Sequence, residues 1–213
     1  MKTDDLISAL TADVATKPTP VSRSVALAVV VGLPIAAAIP IYAIDVRPDL
    51  WGQLGADPRF TFKFVFTLAT AAVGVWLALR LSRPGTSAGP ALAALGATAA
   101  LLIAADTTEL MVLPRSEWAS ALIGARALDC VVLIPLLAAA PLAALLFAMR
   151  SGAPDNPSIA GAAAGLLAGA IGATLYASHC TNDSPLFISV WYVIGIAAVT
   201  LTGGLIGRKV LRW

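Results

Sequence analysis

Apolar residues along this chain are gathered into long unbroken runs rather than into stripes of period 3.6 or 2, and polar residues are confined to the gaps between runs. Six runs, near 24–44, 61–81, 91–111, 127–149, 159–178 and 187–207, are long enough to cross about 30 Å of hydrocarbon at about 1.5 Å per helical residue. The pattern predicts an all-α integral membrane protein of six transmembrane helices joined by short loops. An even number of spans puts both termini on one side.

The sizeable polar segment outside these runs is residues 1–20, MKTDDLISALTADVATKPTP. Thr3 or Asp4 suits an N-cap, Asp4 and Asp5 suit a first turn, and Pro18 and Pro20 forbid continuation, so one short helix of about three turns is predicted. On it Leu6, Ile7, Leu10 and Val14 share an arc of about 100°, with Asp13 at one edge. Two readings stay open. The segment is an unanchored or lipid-lying chain end, although acidic residues on its polar face disfavour anionic lipid. Alternatively it is a cytoplasmic docking helix whose contacts with a partner are Asp4, Asp5, Leu6, Ile7, Leu10 and Val14. Domain division follows: 1–20 as the cytoplasmic amphipathic segment, 21–213 as the transmembrane bundle.

Composition sharpens the class. Hydrophobic residues make up 59% of the 213 and charged residues 12%, which excludes an ordinary soluble domain. A formal charge of +2 without a basic patch gives no basis for direct nucleic-acid binding. Phosphate-binding loops, dinucleotide fingerprints and hydrolase motifs are missing from the sequence, and short loops leave no room for a soluble catalytic domain, so no enzyme is expected. Of the fourteen Lys and Arg residues, nine fall on the side that holds the termini and five on the other. Short-loop positive charge marks the cytoplasmic face, which predicts cytoplasmic termini.

Several residues inside or beside the runs carry chemistry or packing. Pro34, Pro40, Pro135 and Pro141 mark kinks or hinges. Lys63 is expected to snorkel toward headgroups, and Trp51 to sit at the interface. Asp106, Glu109 and Asp129 are candidate supporting polar groups, and Lys63 and Arg126 are candidate counter-charges to Asp106 and Glu109. Gly161, Gly165 and Gly169 share one helix face, as do Gly203 and Gly207, which points to close helix packing within the chain or between copies in a homo-oligomer. The two cysteines, Cys130 and Cys180, fall on the same, non-cytoplasmic side, with Asp129 beside the first and His179 beside the second. Three roles are open to them: small buried residues, a thiol pair that forms a disulfide, or, as Cys130, His179 and Cys180, ligands to a soft metal. The spacing contains no C-x-x-C, and no resident cofactor is expected.

Taken together, Met1-Lys2-Thr3-Asp4-Asp5-Leu6-Ile7, Arg47-Pro48-Asp49-Leu50, Lys63, Arg83-Pro84, Cys130, the Gly-rich fifth run, His179-Cys180 and Trp191-Tyr192 with Gly195 make the chain resemble the NrsF-type membrane anti-sigma factors. These are six-span bacterial inner-membrane proteins that hold an extracytoplasmic-function sigma factor inactive. The resemblance implies that the N-terminal segment contacts the sigma factor. It also implies that Cys130 and Cys180 sense a heavy-metal ion or oxidative stress on the periplasmic side. A small transporter or channel built on Asp106, Glu109 and Lys63 is the alternative, and it lacks both an inverted repeat and a midplane charge. A membrane thiol oxidoreductase needs more cysteines than two.

Overall fold

The computed structural model describes residues 3–5, 7–8, 20–39 and 45–212. Among them the chain is helical, with no strand. In chain order the helices are α1 (Val21–Ile39), α2 (Leu50–Gln53), α3 (Pro58–Leu81), α4 (Gly89–Val112), α5 (Trp118–Ile123), α6 (Ala127–Met149), α7 (Pro157–Ala177) and α8 (Pro185–Val210). Six of these, all but α2 and α5, are long and apolar enough to cross a membrane.

The helices begin earlier than the apolar runs because their first turns are built from capping residues rather than greasy ones. Proline occupies the first turn of α3, α4, α7 and α8, where its missing N–H has no helical acceptor to lose. Asp57 caps α3 by accepting from the Arg59 amide at 2.8 Å, and Asn156 caps α7 by accepting from the Ser158 and Ile159 amides. Helix α6 matches its predicted bounds and runs unbroken through Pro135 and Pro141. The first helix starts three residues before its predicted start, and residues 40–44 lie outside the described ones. Within α8, residues Ile188–Tyr192 form a turn of π-helix.

Helix α7 is the axis of the bundle, clasped by α8, α3 and α6. Its small residues permit this. A Cβ on Gly165 would stand 2.5 Å from the Val199 carbonyl of α8, and one on Gly172 would stand 2.6 Å from the Ile134 carbonyl of α6. From the third side, a Cβ on Gly74 of α3 would come within 2.9 Å of the Leu167 Cα. The glycine faces are therefore used inside the chain, for backbone contact between neighbours. Helix α1 rests chiefly on α6, at a crossing where Gly32 meets Pro141, and α4 packs lightly on the outside of α3.

The two ends of the bundle differ in kind. At one, the loop after α3 and the loop before α7 are tied by Ala153 N–H to the Ser82 carbonyl (3.1 Å) and Gly85 N–H to Asp155 (2.8 Å). At the other, the segment before α2 is joined to the α7–α8 loop by Arg47 N–H to the Ser178 carbonyl at 3.0 Å. That second end holds both thiols and a buried ion network.

Candidate functional site

Lys63 lies on the second turn of α3 with its side chain fully enclosed. Its ammonium donates to the Cys180 carbonyl at 2.8 Å and pairs with Asp183. Arg47 reaches the same acid from the opposite side, donating from Nη1 to the two Asp183 oxygens at 2.8 and 3.1 Å and to the Cys180 carbonyl at 3.2 Å. The remaining edge of the guanidinium grips Asp49 through Nε and Nη2, at 3.0 and 2.8 Å. Two cations thus face two carboxylates, so the cluster is neutral overall, which is the condition under which charge survives burial. Phe60 floors it, with the Arg47 and Lys63 head groups 5.0 and 5.2 Å from the ring centre. Hydrogen bonding to Asp49 raises the Arg47 pKa further above its ordinary value, and the same contact lowers that of the exposed Asp49 carboxyl.

Cys130, in the first turn of α6, and Cys180, in the α7–α8 loop, are both buried and both free thiols. Both belong to one buried cluster of side chains at this end of the bundle, together with Ala177, Phe187 and Ile188. Tyr176 of α7 and Tyr192 of α8 share that cluster, their rings packed with centroids 5.6 Å apart. The Tyr192 hydroxyl is buried and has no hydrogen-bond partner among the described residues. The Cys180 thiol is held below the ordinary thiol value, first by the Cys130 thiol beside it and then by the positive charge of Lys63, with burial opposing both. A cleft of about 710 Å³ opens over this end, lined among others by Arg47, Tyr176, His179, Cys180 and Asp183.

The expected site residues divide. Cys130 and Cys180 fall in one buried cluster and remain free thiols. His179 does not join them: its Nδ1 lies 2.8 Å from the Asp45 carbonyl, and its ring stands against Tyr176 at 5.9 Å. No group of three or more His, Cys, Asp or Glu side chains among the described residues could hold a metal ion, so the set Cys130, His179 and Cys180 is not assembled as a metal centre. Asp129 pairs at 2.5 Å with Arg126, the residue that precedes the same helix. Glu109 is buried and pairs with Arg59 at 3.0 Å, and Asp106 is half-buried with one carboxylate oxygen unpartnered. Their expected counter-charges are thus corrected: Lys63 serves Asp183 and Arg126 serves Asp129. Lys63 also does not snorkel, because its charge is consumed inside the bundle. Of the docking residues, Asp4, Asp5 and Ile7 are helical and exposed, and Leu6, Leu10 and Val14 lie outside the described residues.

Asp183 is the member of the ion network that sequence reasoning missed, and Arg47 and Asp49 entered only as part of the Arg47-Pro48-Asp49-Leu50 motif. Lys63, a lone cation in a run of apolar residues, was the available clue that a buried acid had to exist nearby.

Comparison with known proteins gives this arrangement a context. The model of the NrsF family, described as negative regulator of sigma F, matches residues 10–213. The chain belongs to the NrsF family. Among its relatives, the probable anti-sigma-F factor NrsF of Azospira oryzae is 36% identical over 214 residues, and the anti-sigma-F factor NrsF of Caulobacter vibrioides is 37% identical over 227. Both alignments cover the whole of each chain. No solved structure matches. The NrsF match takes in both thiols and every member of the ion network, together with Leu10 and Val14 of the N-terminal segment.

Proposed function

We propose that this protein is an inner-membrane anti-sigma factor that holds an extracytoplasmic-function sigma factor through its N-terminal segment and releases it when Cys130 and Cys180 meet an oxidant or a thiol-reactive metal. The carrying observation is likeness along the entire length, at 36 and 37% identity, to relatives named anti-sigma-F factors. Six helices suited to a bilayer supply the anchor. The excess of Lys and Arg on the side of the termini supports placing the segment in the cytoplasm.

Burying Leu6, Ile7, Leu10 and Val14 in a protein groove is worth about 6 to 12 kcal/mol gross, from which ordering the helix removes about 2 to 5. A grip of that size is reversible, as a regulator demands. Placing aspartate at Leu6 and Leu10 removes about 3 to 6 kcal/mol of apolar burial, which is 100-fold or more in affinity. The full-length L6D/L10D variant is therefore expected to lose the sigma factor on co-purification from detergent-solubilised membranes. Undiminished recovery of the sigma factor would defeat the docking assignment. For the sensor half, Cys130→Ser and Cys180→Ser are each expected to blunt induction of a sigma-dependent reporter by oxidant or metal, and an unchanged response in both removes the thiols from the mechanism.

A further inference from the structure

The two thiols are unequal in their surroundings. Cys130 is wholly buried at the start of α6 and does not line the outer cleft, whereas Cys180 forms part of the cleft wall. The main chain of Cys180 is also fixed at both ends: its amide donates to the Tyr176 carbonyl at 3.0 Å, and its own carbonyl accepts from Lys63 at 2.8 Å and Arg47 at 3.2 Å. Lys63 thereby places its ammonium, shared with Asp183, beside the main chain of this residue in a site shielded from water, where electrostatic interactions are strengthened. Tyr192, whose buried hydroxyl has no hydrogen-bond partner among the described residues, belongs to the same side-chain cluster as Cys180.

We infer that Cys180 is the thiol attacked first by a small hydroperoxide entering through the outer cleft, that Cys130 is the resolving thiol, and that Lys63 is the positioning cation. The inference rests on the proposed sensing role and assigns an order within it. In the first step the Cys180 sulfur attacks the hydroperoxide; the O–O bond breaks, an S–O bond forms, and the thiol proton leaves with the departing oxygen as alcohol or water. In the second, the Cys130 sulfur attacks the Cys180 sulfenic acid; the S–O bond breaks, the S–S bond forms, and the Cys130 proton leaves with hydroxide as water. The thiol pair gives up two electrons and the hydroperoxide accepts them. A depressed thiol pKa at Cys180 is consistent with this order, since the thiolate is the nucleophile.

The test uses full-length protein in native membranes, hydrogen peroxide as probe, and dimedone to trap sulfenic acid, read by mass spectrometry. Cys130→Ser is expected to accumulate a dimedone adduct at Cys180, Cys180→Ser to leave Cys130 unlabelled, and the unsubstituted protein to form disulfide with little adduct. The positioning role of Lys63 has its own readout, the pH profile of Cys180 alkylation by iodoacetamide in the Cys130→Ser background. Lys63→Gln is expected to move the profile upward in pH and slow the reaction at least tenfold at neutral pH, while Lys63→Arg, which keeps the charge, restores most of the rate. An unmoved profile in Lys63→Gln overturns the positioning role. Labelling of Cys130 as fast as Cys180, with reporter induction still dependent on both thiols, overturns the order and leaves the sensor intact. Failure of either thiol to label, with a reporter still responding in the double Cys→Ser variant, removes sensor and order together.

Discussion

At the scale of single residues, the end of the bundle is governed by one acid shared between two cations. Asp183 accepts from Lys63 and Arg47, so removing Lys63 leaves a carboxylate half-served and the Cys180 carbonyl with Arg47 alone. Breaking a buried pair from one side costs about 3 to 5 kcal/mol. Lys63→Met is expected to lower the melting temperature in detergent clearly, and the double variant Lys63→Met with Asp183→Asn to recover part of the loss, because no charge is then stranded. Asp49→Asn removes a partner that is exposed to water, and the melt is expected to move little. Recovery in the double variant no better than additive would mean that the two side chains stand independently. Of this network Asp183 was not singled out in the sequence, Arg47 and Asp49 stood only within a motif, and Lys63 was marked as a lone cation. Its partner stands 120 positions away in a polar loop, and local hydrophobic pattern carries no information on pairings at that separation. The same limit explains Glu109, whose cation proved to be Arg59 rather than either charge nearest in pattern.

At the scale of elements, periodicity was uninformative and run length was decisive. All six spanning helices were legible from the length of apolar sequence, and α6 to the residue, since Arg126 and Arg150 bracket it with charge. Starts of the Pro-initiated helices were read two or three residues late, because a first turn of Pro, Ser or Arg is polar and belongs to no apolar run. The π turn at Ile188–Tyr192, which accompanies burial of Tyr192 beside the thiols, has no compositional mark. The glycine spacing did announce close contact, and the structure assigns that contact to the α7–α8 seam. Gly165→Leu drives side-chain atoms into the α8 backbone and is expected to abolish recovery of folded, monodisperse protein. Gly96→Ala, where a Cβ meets nothing within 4 Å, is the control and is expected to behave as the parent protein. Equal recovery of the two variants would show that the seam tolerates separation.

At the scale of the molecule, the orientation predicted by the distribution of Lys and Arg has a direct measurement. In a Cys130→Ser/Cys180→Ser background, Glu117→Cys on the thiol-bearing end is expected to react with a membrane-impermeant maleimide on intact cells, and Ser87→Cys on the opposite end only after permeabilisation. Both positions are exposed, so accessibility alone does not separate them. The reverse pattern would put the first residues outside the cell and end the regulatory reading.

The tight α7–α8 seam makes a stator of the central pair, and α1, which rests chiefly on α6 and little on that pair, is an arm. Backbone packed against backbone allows the central pair no sliding room, so any rearrangement that starts at the thiols must find its slack elsewhere. Helix α6 carries one of those thiols in its first turn and, about three turns further on and past Pro135, supplies at Pro141 the bearing on which Gly32 of α1 sits. The chain leading out of α1 at Val21 continues directly into the polar N-terminal segment. Any tilt of α6 would therefore pass to α1, the helix that follows the N-terminal segment, with no intervening part.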